Sequence, residues 1–236
     1  MRVFWLAALS VAALAVCGCG GTPSSVNSAP PQVVLEAGVS VNPDGFAYPN
    51  PPGGYGHSAR LGTTPGSVMQ NFKFLGFPNG DMSKGLQTIS LADYYDPCQK
   101  RYALLRLSVA AVWCVPCNEE TDDIVADKTT LDSERVVVIQ ALGDGPTMGV
   151  GATTGDLVNW VTKHGSNFTE MLDPGLMNLG SFFNASAIPW NCDIDPRTME
   201  ILQSATGWSG NLNQDLALPI AEAAATPGYP ITATCN

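Results

Sequence analysis

Two cysteines two residues apart, in Trp113-Cys114-Val115-Pro116-Cys117, constrain this chain more than any other stretch of it. A nearly continuous apolar run from Tyr102 to Val112 precedes them and a helical pattern follows, so they fall at a strand-to-helix junction. With Cys114 at the helix N-cap and Cys117 in the first turn, the two sulfurs reach each other without distorting the backbone. The unpaired N–H groups of that turn, together with the helix dipole, favour a thiolate on Cys114. A thiolate is the species that attacks a disulfide. Pro116 falls in the first turn, where its missing N–H costs nothing.

Other readings of the pair stay open. Zinc ordinarily takes a second pair of soft ligands, and the chain has only His57 and His164 and no second C-x-x-C. Covalent haem attachment needs a His directly after Cys117, where Asn118 stands. A purely structural disulfide would close so short a loop that it stabilises little. The motif favours redox chemistry, for which neither a metal nor any other cofactor is expected.

The chain starts Met1-Arg2 and continues with an apolar stretch from Val3 to Val16. That stretch has signal-peptide length and falls short of the ~20 residues a stable membrane span needs. It ends Val16-Cys17-Gly18-Cys19-Gly20, which resembles a bacterial lipoprotein signal, where a small residue precedes the cysteine that becomes lipidated and N-terminal. Gly18 before Cys19 fits that pattern, and Val16 before Cys17 does not. Residues 1–18 are therefore read as a lipoprotein-type signal peptide and Cys19 as the lipidation site, with plain secretion as the alternative. Residues 19–65 read as a flexible Pro/Gly-rich tether and extension whose aromatic residues are able to pack on the domain. Residues 66–236 then form one domain with a sizeable core.

A formal net charge of −10 argues against nucleic-acid binding and against a polybasic membrane patch. Seven cysteines in an exported chain imply an oxidising compartment. Removing Cys17 with the signal and lipidating Cys19 leaves Cys98, Cys114, Cys117, Cys192 and Cys235. If Cys114 pairs with Cys117, at least one of the other three is free or bonded to another molecule.

Along the domain, Phe72 to Phe77 alternates and breaks at Pro78-Asn79-Gly80, and Leu86 to Leu91 follows, an initial hairpin. Arg106 is the odd member of the central strand and reads as lying at an edge or meeting a carboxylate. Val115 to about Leu131 is helical, and Arg135 to Leu142 is a second buried strand. Asp156 to Lys163 is helical, Phe168 to Leu172 a short strand and Leu176 to Phe183 a short helix. Ile188 to Asp195 and Met199 to Leu202 form a hairpin about Asp195-Pro196-Arg197-Thr198, and Leu212 to Ala225 is a closing amphipathic helix. The Gly149–Gly155 stretch lacks a Walker lysine and reads as a loop, and His164 with Ser166 makes no credible triad.

This order is α/β with a mixed sheet. With the C-x-x-C at the first strand-to-helix junction it resembles the thioredoxin fold. The initial hairpin, and an insertion between the second strand and Pro189, make it similar to the membrane-anchored thiol-disulfide oxidoreductases of the TlpA/ResA type, within the redoxin group. The resemblance covers roughly Gly66 to Ala225. It implies a thioredoxin-like fold with a mixed central sheet flanked by helices and an N-terminal hairpin extension.

The resemblance also implies roles. Cys114 attacks a partner's disulfide, a mixed disulfide forms, and Cys117 displaces the reduced partner. Ile188-Pro189 matches the family's cis proline, which faces the cysteines and presents the backbone of the preceding residue, Ile188, to an extended substrate segment. Glu120 matches the acid of the family's Trp-Cys-x-Pro-Cys-x-x-Glu pattern, which helps set the cysteine pKa and moves protons. Thioredoxin's buried Asp has Ser108 in its place here, and Asp122 stands where family members often have Pro. Trp113 and Trp190 are expected to contact partners beside the site, with core packing as the alternative. Cys192 reads as a small buried hydrophobe. In a thioredoxin fold Cys98 and Cys235 would both fall at the end of the sheet away from the C-x-x-C, which implies a Cys98–Cys235 disulfide pinning the tail.

The function so implied is that of a lipid-anchored, periplasm-facing oxidoreductase of the bacterial envelope, reducing the disulfides of cysteine-containing envelope proteins. Val-Pro between the cysteines looks more like the reducing members. Its electrons would come from a membrane thiol-disulfide donor. One alternative is a redoxin-type peroxidase, whose Thr three residues before the peroxidatic Cys is here Ala111. Another is a non-catalytic lipoprotein that keeps the fold for binding.

Overall fold

The computed structural model describes residues 40–49, 62–185, 187–225 and 235. Residues 1–18, Cys19 and much of the 19–65 stretch lie outside the described residues.

The apolar run before the cysteines forms β3 (Leu104–Ala111), buried along its whole length. β4 (Val136–Asp144) lies parallel to it on one side, and β5 (Thr169–Leu172) lies parallel to β4. β6 (Trp190–Asp195) runs antiparallel on the other side of β3, with β7 (Glu200–Thr206) beyond it. The hairpin of β1 (Lys73–Phe77) and β2 (Gln87–Ser90) docks antiparallel on β5. The sheet order is β2-β1-β5-β4-β3-β6-β7.

α1 (Val115–Ala126), α2 (Lys128–Ser133) and α3 (Thr154–His164) occupy the two parallel crossovers β3 to β4 and β4 to β5. Both crossovers advance in the same direction, so right-handed connections put their helices on one face. α4 (Leu212–Ala225) joins them there. Ile124, Leu131, Leu157, Trp160, Leu212 and Leu216 pack on that face against Leu104, Ala110, Val136, Val138 and Leu142. The opposite face presents Leu105, Leu107, Val109, Ile139, Ala141, Cys192 and Ile194. Chain without α-helix covers it, bringing in Tyr48, Val68, Met69, Phe72, Tyr94 and Leu179.

Two local outcomes differ from the sequence expectation. The helical stretch from Val115 to Leu131 is two helices, broken at Asp127 (φ −89°, ψ 6°). Residues 176–183 form no α-helix: a single 3-10 turn spans Pro174–Leu176. There the Asp173 carboxylate accepts backbone N–H bonds from Asn178 (3.0 Å) and Leu179 (2.9 Å), and Gly175 and Leu176 take left-handed φ of 66° and 58°. A side-chain acceptor holding its own downstream N–H groups competes with the helix ladder. Residues 40–49 lie against the domain, as the aromatic residues of the extension are able to. Asn42 donates to the Tyr95 carbonyl (2.9 Å), and buried Tyr48 donates to the Met69 carbonyl (2.8 Å).

A disulfide joins Cys98, before β3, to Cys235, across 137 residues. Cys192 is a free, buried cysteine. Among the described residues no helix is long and apolar enough to cross a membrane.

Candidate active site

β3 ends at Ala111, and the chain turns through Val112 and Trp113 into the cap of α1. Cys114 is that N-cap, in extended conformation, and its sulfur accepts the backbone N–H of Cys117 at 3.2 Å. This is the capping interaction a Ser or Asp would make, with sulfur in place of oxygen. Cys114 and Cys117 are joined as a disulfide. Cys117 is fully buried and Cys114 is 2% exposed, whereas Val115 between them is 67% exposed. The Ile188–Pro189 peptide is cis, and the carbonyl oxygen of Ile188 lies 3.7 Å from Cys114 Sγ. The cap, the pair and the proline loop thus meet at one point on the rim of the sheet.

Trp113 is half-buried beside the cysteines, and its indole N–H donates to Asp144 Oδ2 at 3.3 Å. The same oxygen accepts the backbone N–H of Gly149 at 2.7 Å, which ties the 145–151 loop to this rim. Trp190 takes the core-packing alternative. It is 1% exposed, stacks on Phe183 at 4.9 Å and donates to Ser204 Oγ at 2.9 Å. The physical reason is strand alternation: Trp190, Cys192 and Ile194 share the face turned away from the helices.

The other half of that alternation builds the interior of the site. Asn191 and Asp193 face the helices, directly opposite Ser108 and Arg106 on β3. Arg106 donates through Nε and Nη2 to both carboxylate oxygens of Asp193, at 2.8 and 2.9 Å. Arg106 therefore lies mid-strand and meets a carboxylate rather than an edge. Asn191 donates through Nδ2 to Glu120 Oε1 at 2.6 Å. Glu120 is fully buried, one turn of α1 beyond Cys117. Burial pushes its carboxyl up to about 7, against the opposing pull of the Asn191 hydrogen bond and the Arg106 charge. A carboxyl tuned near neutrality takes up and gives back a proton readily. Ser108, where thioredoxin has its Asp, is buried and has no hydrogen-bond partner for Oγ among the described residues.

The register extends this polar strip across the sheet, because Ser108 also pairs with Gln140 and Gln140 with Glu170. Gln140 Oε1 accepts from Thr121 Oγ1 (3.0 Å) and Trp160 Nε1 (3.1 Å). Glu170 accepts from Ser166 Oγ at 2.8 Å, and burial pushes its carboxyl up to about 8. Asp122 binds His164 Nδ1 at 2.6 Å and so links α1 to α3. Asn191, Asp193 and Glu170 belong to no short sequence motif. The alternation in Trp190-Asn191-Cys192-Asp193-Ile194 was the available signal that two polar side chains face inward together. Among the described residues no group of three or more His, Cys, Asp or Glu is placed to hold a metal ion.

The chain matches no family model and no curated protein. Solved structures do resemble it. A protein of Chlorobium tepidum described as the thiol:disulfide interchange protein DsbE superposes with a TM-score of 0.51 at 18% identity, over 69% of this chain and 98% of that one. The thioredoxin domain of a thiol-disulfide oxidoreductase of Bacteroides vulgatus gives 0.50 at 13% identity, over 66% and 99%. AhpC of Enterococcus faecalis gives 0.51 at 12% identity, over 70% and 93%. At such identities the likeness defines the fold: this is an α/β, thioredoxin-like protein with a mixed seven-stranded sheet.

Proposed function

We propose that the chain is a thiol-disulfide oxidoreductase of the cell envelope that reduces disulfides in cysteine-containing partner proteins. One observation carries the reading: a Cys114–Cys117 disulfide caps α1 beside the Ile188 carbonyl, with the buried acid Glu120 one turn below. Two of the proteins of like fold are described as a thiol:disulfide interchange protein and a thiol-disulfide oxidoreductase, which supports it.

In the reduced state the Cys114 thiolate, favoured by the α1 N-terminus, attacks a disulfide sulfur of the partner. The partner's extended segment lies along the Ile188 backbone, with Trp113 alongside. Cys117 then gives its proton to Glu120, bonds to Cys114 Sγ and expels the partner's sulfur as a thiolate. Two electrons have passed to the partner, and Cys114–Cys117 is oxidised. A thiol-disulfide donor in the membrane returns the pair to the dithiol, and a lipid on Cys19 holds the protein at that membrane.

Equilibrating the full chain in defined thiol buffers tests the direction. A potential near that of thioredoxin, about −270 mV, is expected for a reductant, whereas one near −120 mV would make the protein a disulfide donor. A pair that never opens would overturn the reading in favour of a binding protein. The anchor is tested separately: mass spectrometry of the mature protein should find acylated Cys19, and Cys19→Ala should release the protein from membranes.

A further inference from the structure

Cys117 and Glu120 are both fully buried, which poses a problem for the resolving step. While a partner is joined to Cys114 it covers the sulfur rim, yet the proton leaving Cys117 must still reach water. A second opening exists. A pocket of about 500 Å³ lies between β6, β7 and α4, lined by Arg106, Asn191, Asp193, Ala205, Gln214 and Asp215 among others. Its lining includes neither the cysteines nor Trp113 or Ile188. At its mouth Ala205 and Gln214 are exposed, and Ala205 stands directly opposite Asn191 in the sheet.

Asn191 belongs to both places. Its Nδ2 holds Glu120 Oε1 at 2.6 Å while the same side chain forms the inner wall of the pocket. Three valences behind that wall are left open. Glu120 Oε2, Asn191 Oδ1 and Arg106 Nη1 are buried and have no hydrogen-bond partner among the described residues. Buried polar groups of this kind are ordinarily satisfied by water, which takes about 30 Å³ per molecule in the liquid, so the pocket has room for several.

We propose that this pocket is the proton exit of the site: the proton that Cys117 gives to Glu120 leaves through water in the pocket, with Asn191, which forms the inner wall, holding the carboxylate directly behind it. The inference rests on the oxidoreductase reading above. The step balances. The Cys117–Cys114 bond forms, the bond from Cys114 to the partner breaks, the electron pair stays on the partner's sulfur, and the proton goes to Glu120 and then to solvent. The titratable and polar groups that act on Glu120 are Arg106 of β3, Asn191 and Asp193 of β6 and Asp215 of α4, with Cys117 three residues earlier on its own helix. Of these only Arg106 carries positive charge; it is paired with Asp193 and also draws the Glu120 carboxyl down.

The test is stopped-flow reaction of the reduced full chain with insulin as a protein disulfide and with a small aromatic disulfide reagent. It uses Ala205→Phe and Gln214→Trp, which fill the mouth from two elements, so that one remains if the other fails to fold. With insulin, formation of the mixed disulfide should stay within about twofold of wild type while its resolution slows about tenfold or more, as removal of an acid–base path does. With the small reagent, which leaves the rim open to water, resolution should slow far less. Asn191→Leu should move the midpoint of the resolution pH profile upward, a readout that a merely structural role would not move. Both plugged variants resolving insulin at the wild-type rate would overturn the exit while leaving the oxidoreductase reading intact. A wild type that forms no mixed disulfide with either reagent would overturn both.

Discussion

Asn191 on β6 donates a 2.6 Å hydrogen bond to the carboxylate of Glu120 on α1, a residue 71 positions earlier in the chain. The bond favours the charged form of Glu120 and burial favours the neutral one, and burial is the larger influence. The result is a carboxyl near 7, one turn of α1 beyond Cys117, which on the proposed mechanism gives up its proton in the resolving step. Glu120→Gln is therefore expected to slow resolution of the mixed disulfide by about 10²-fold at pH 7.5 and to flatten its pH dependence. Single-turnover kinetics with a protein disulfide measures both. An unchanged profile would remove Glu120 from the proton path.

Two buried acids also set a pH dependence of stability. Glu120 at about 7 and Glu170 at about 8 both lie above the ordinary 4.5. The unfolded chain loses these protons first, so their contribution is fully present below about pH 4.5 and is lost as pH rises through 7 and 8. Urea unfolding at pH 5 and pH 9 should show a smaller drop in Glu170→Gln than in the wild type. An equal or larger drop in the variant would contradict the assignment.

Arg106 and Asp193 form a two-pronged ion pair whose side chains are 3% and 5% exposed. Removing one partner strands the other charge in the interior. Asp193→Ala is expected to cost about 3–5 kcal/mol. Denaturant titration measures it, and a loss below about 1 kcal/mol would mean the pair is hydrated after all.

The two disulfides should behave differently towards stability. Cys98–Cys235 spans 137 residues and Cys114–Cys117 spans three. Replacing the long-range pair by Ser is expected to cost about 2–5 kcal/mol, whereas the short loop has little chain entropy to lose. Thermal melts of the two double variants decide it. A larger loss at the short pair would reverse the roles.

The two tryptophans offer a further contrast. Trp190→Ala empties a core position and is expected to cost about 3–5 kcal/mol while exchange kinetics of the folded fraction persist. Trp113→Ala, at the rim, is expected to cost less stability and to weaken reaction with protein disulfides more than with a small reagent. Identical kinetic effects of the two variants would refute the division.

Much of this protein is legible one segment at a time. The apolar runs of β3 and β4 specify strands buried on both faces, and the spacing of Leu212 to Ala225 specifies α4. Cysteine spacing and Pro116 specify a capped helix start, because these preferences act within a few residues of chain. The α/β class with a mixed sheet follows from the order of such elements.

What pairs with what across the sheet was decided only in three dimensions. Arg106 against Asp193, Ser108 against Asn191 and Gln140 against Glu170 depend on strand register, which brings together residues far apart in sequence. The same register turned Trp190 into the core and Asn191 toward Glu120. Asp173 closed a turn where the local pattern reads helix, and Asp122 found His164 on a different helix. The sequence by itself determined which chemistry the chain carries, since side-chain identity and short spacing are local. Only the tertiary structure decided how that chemistry is tuned, since desolvation and hydrogen bonding at Glu120 come from neighbours that folding alone assembles.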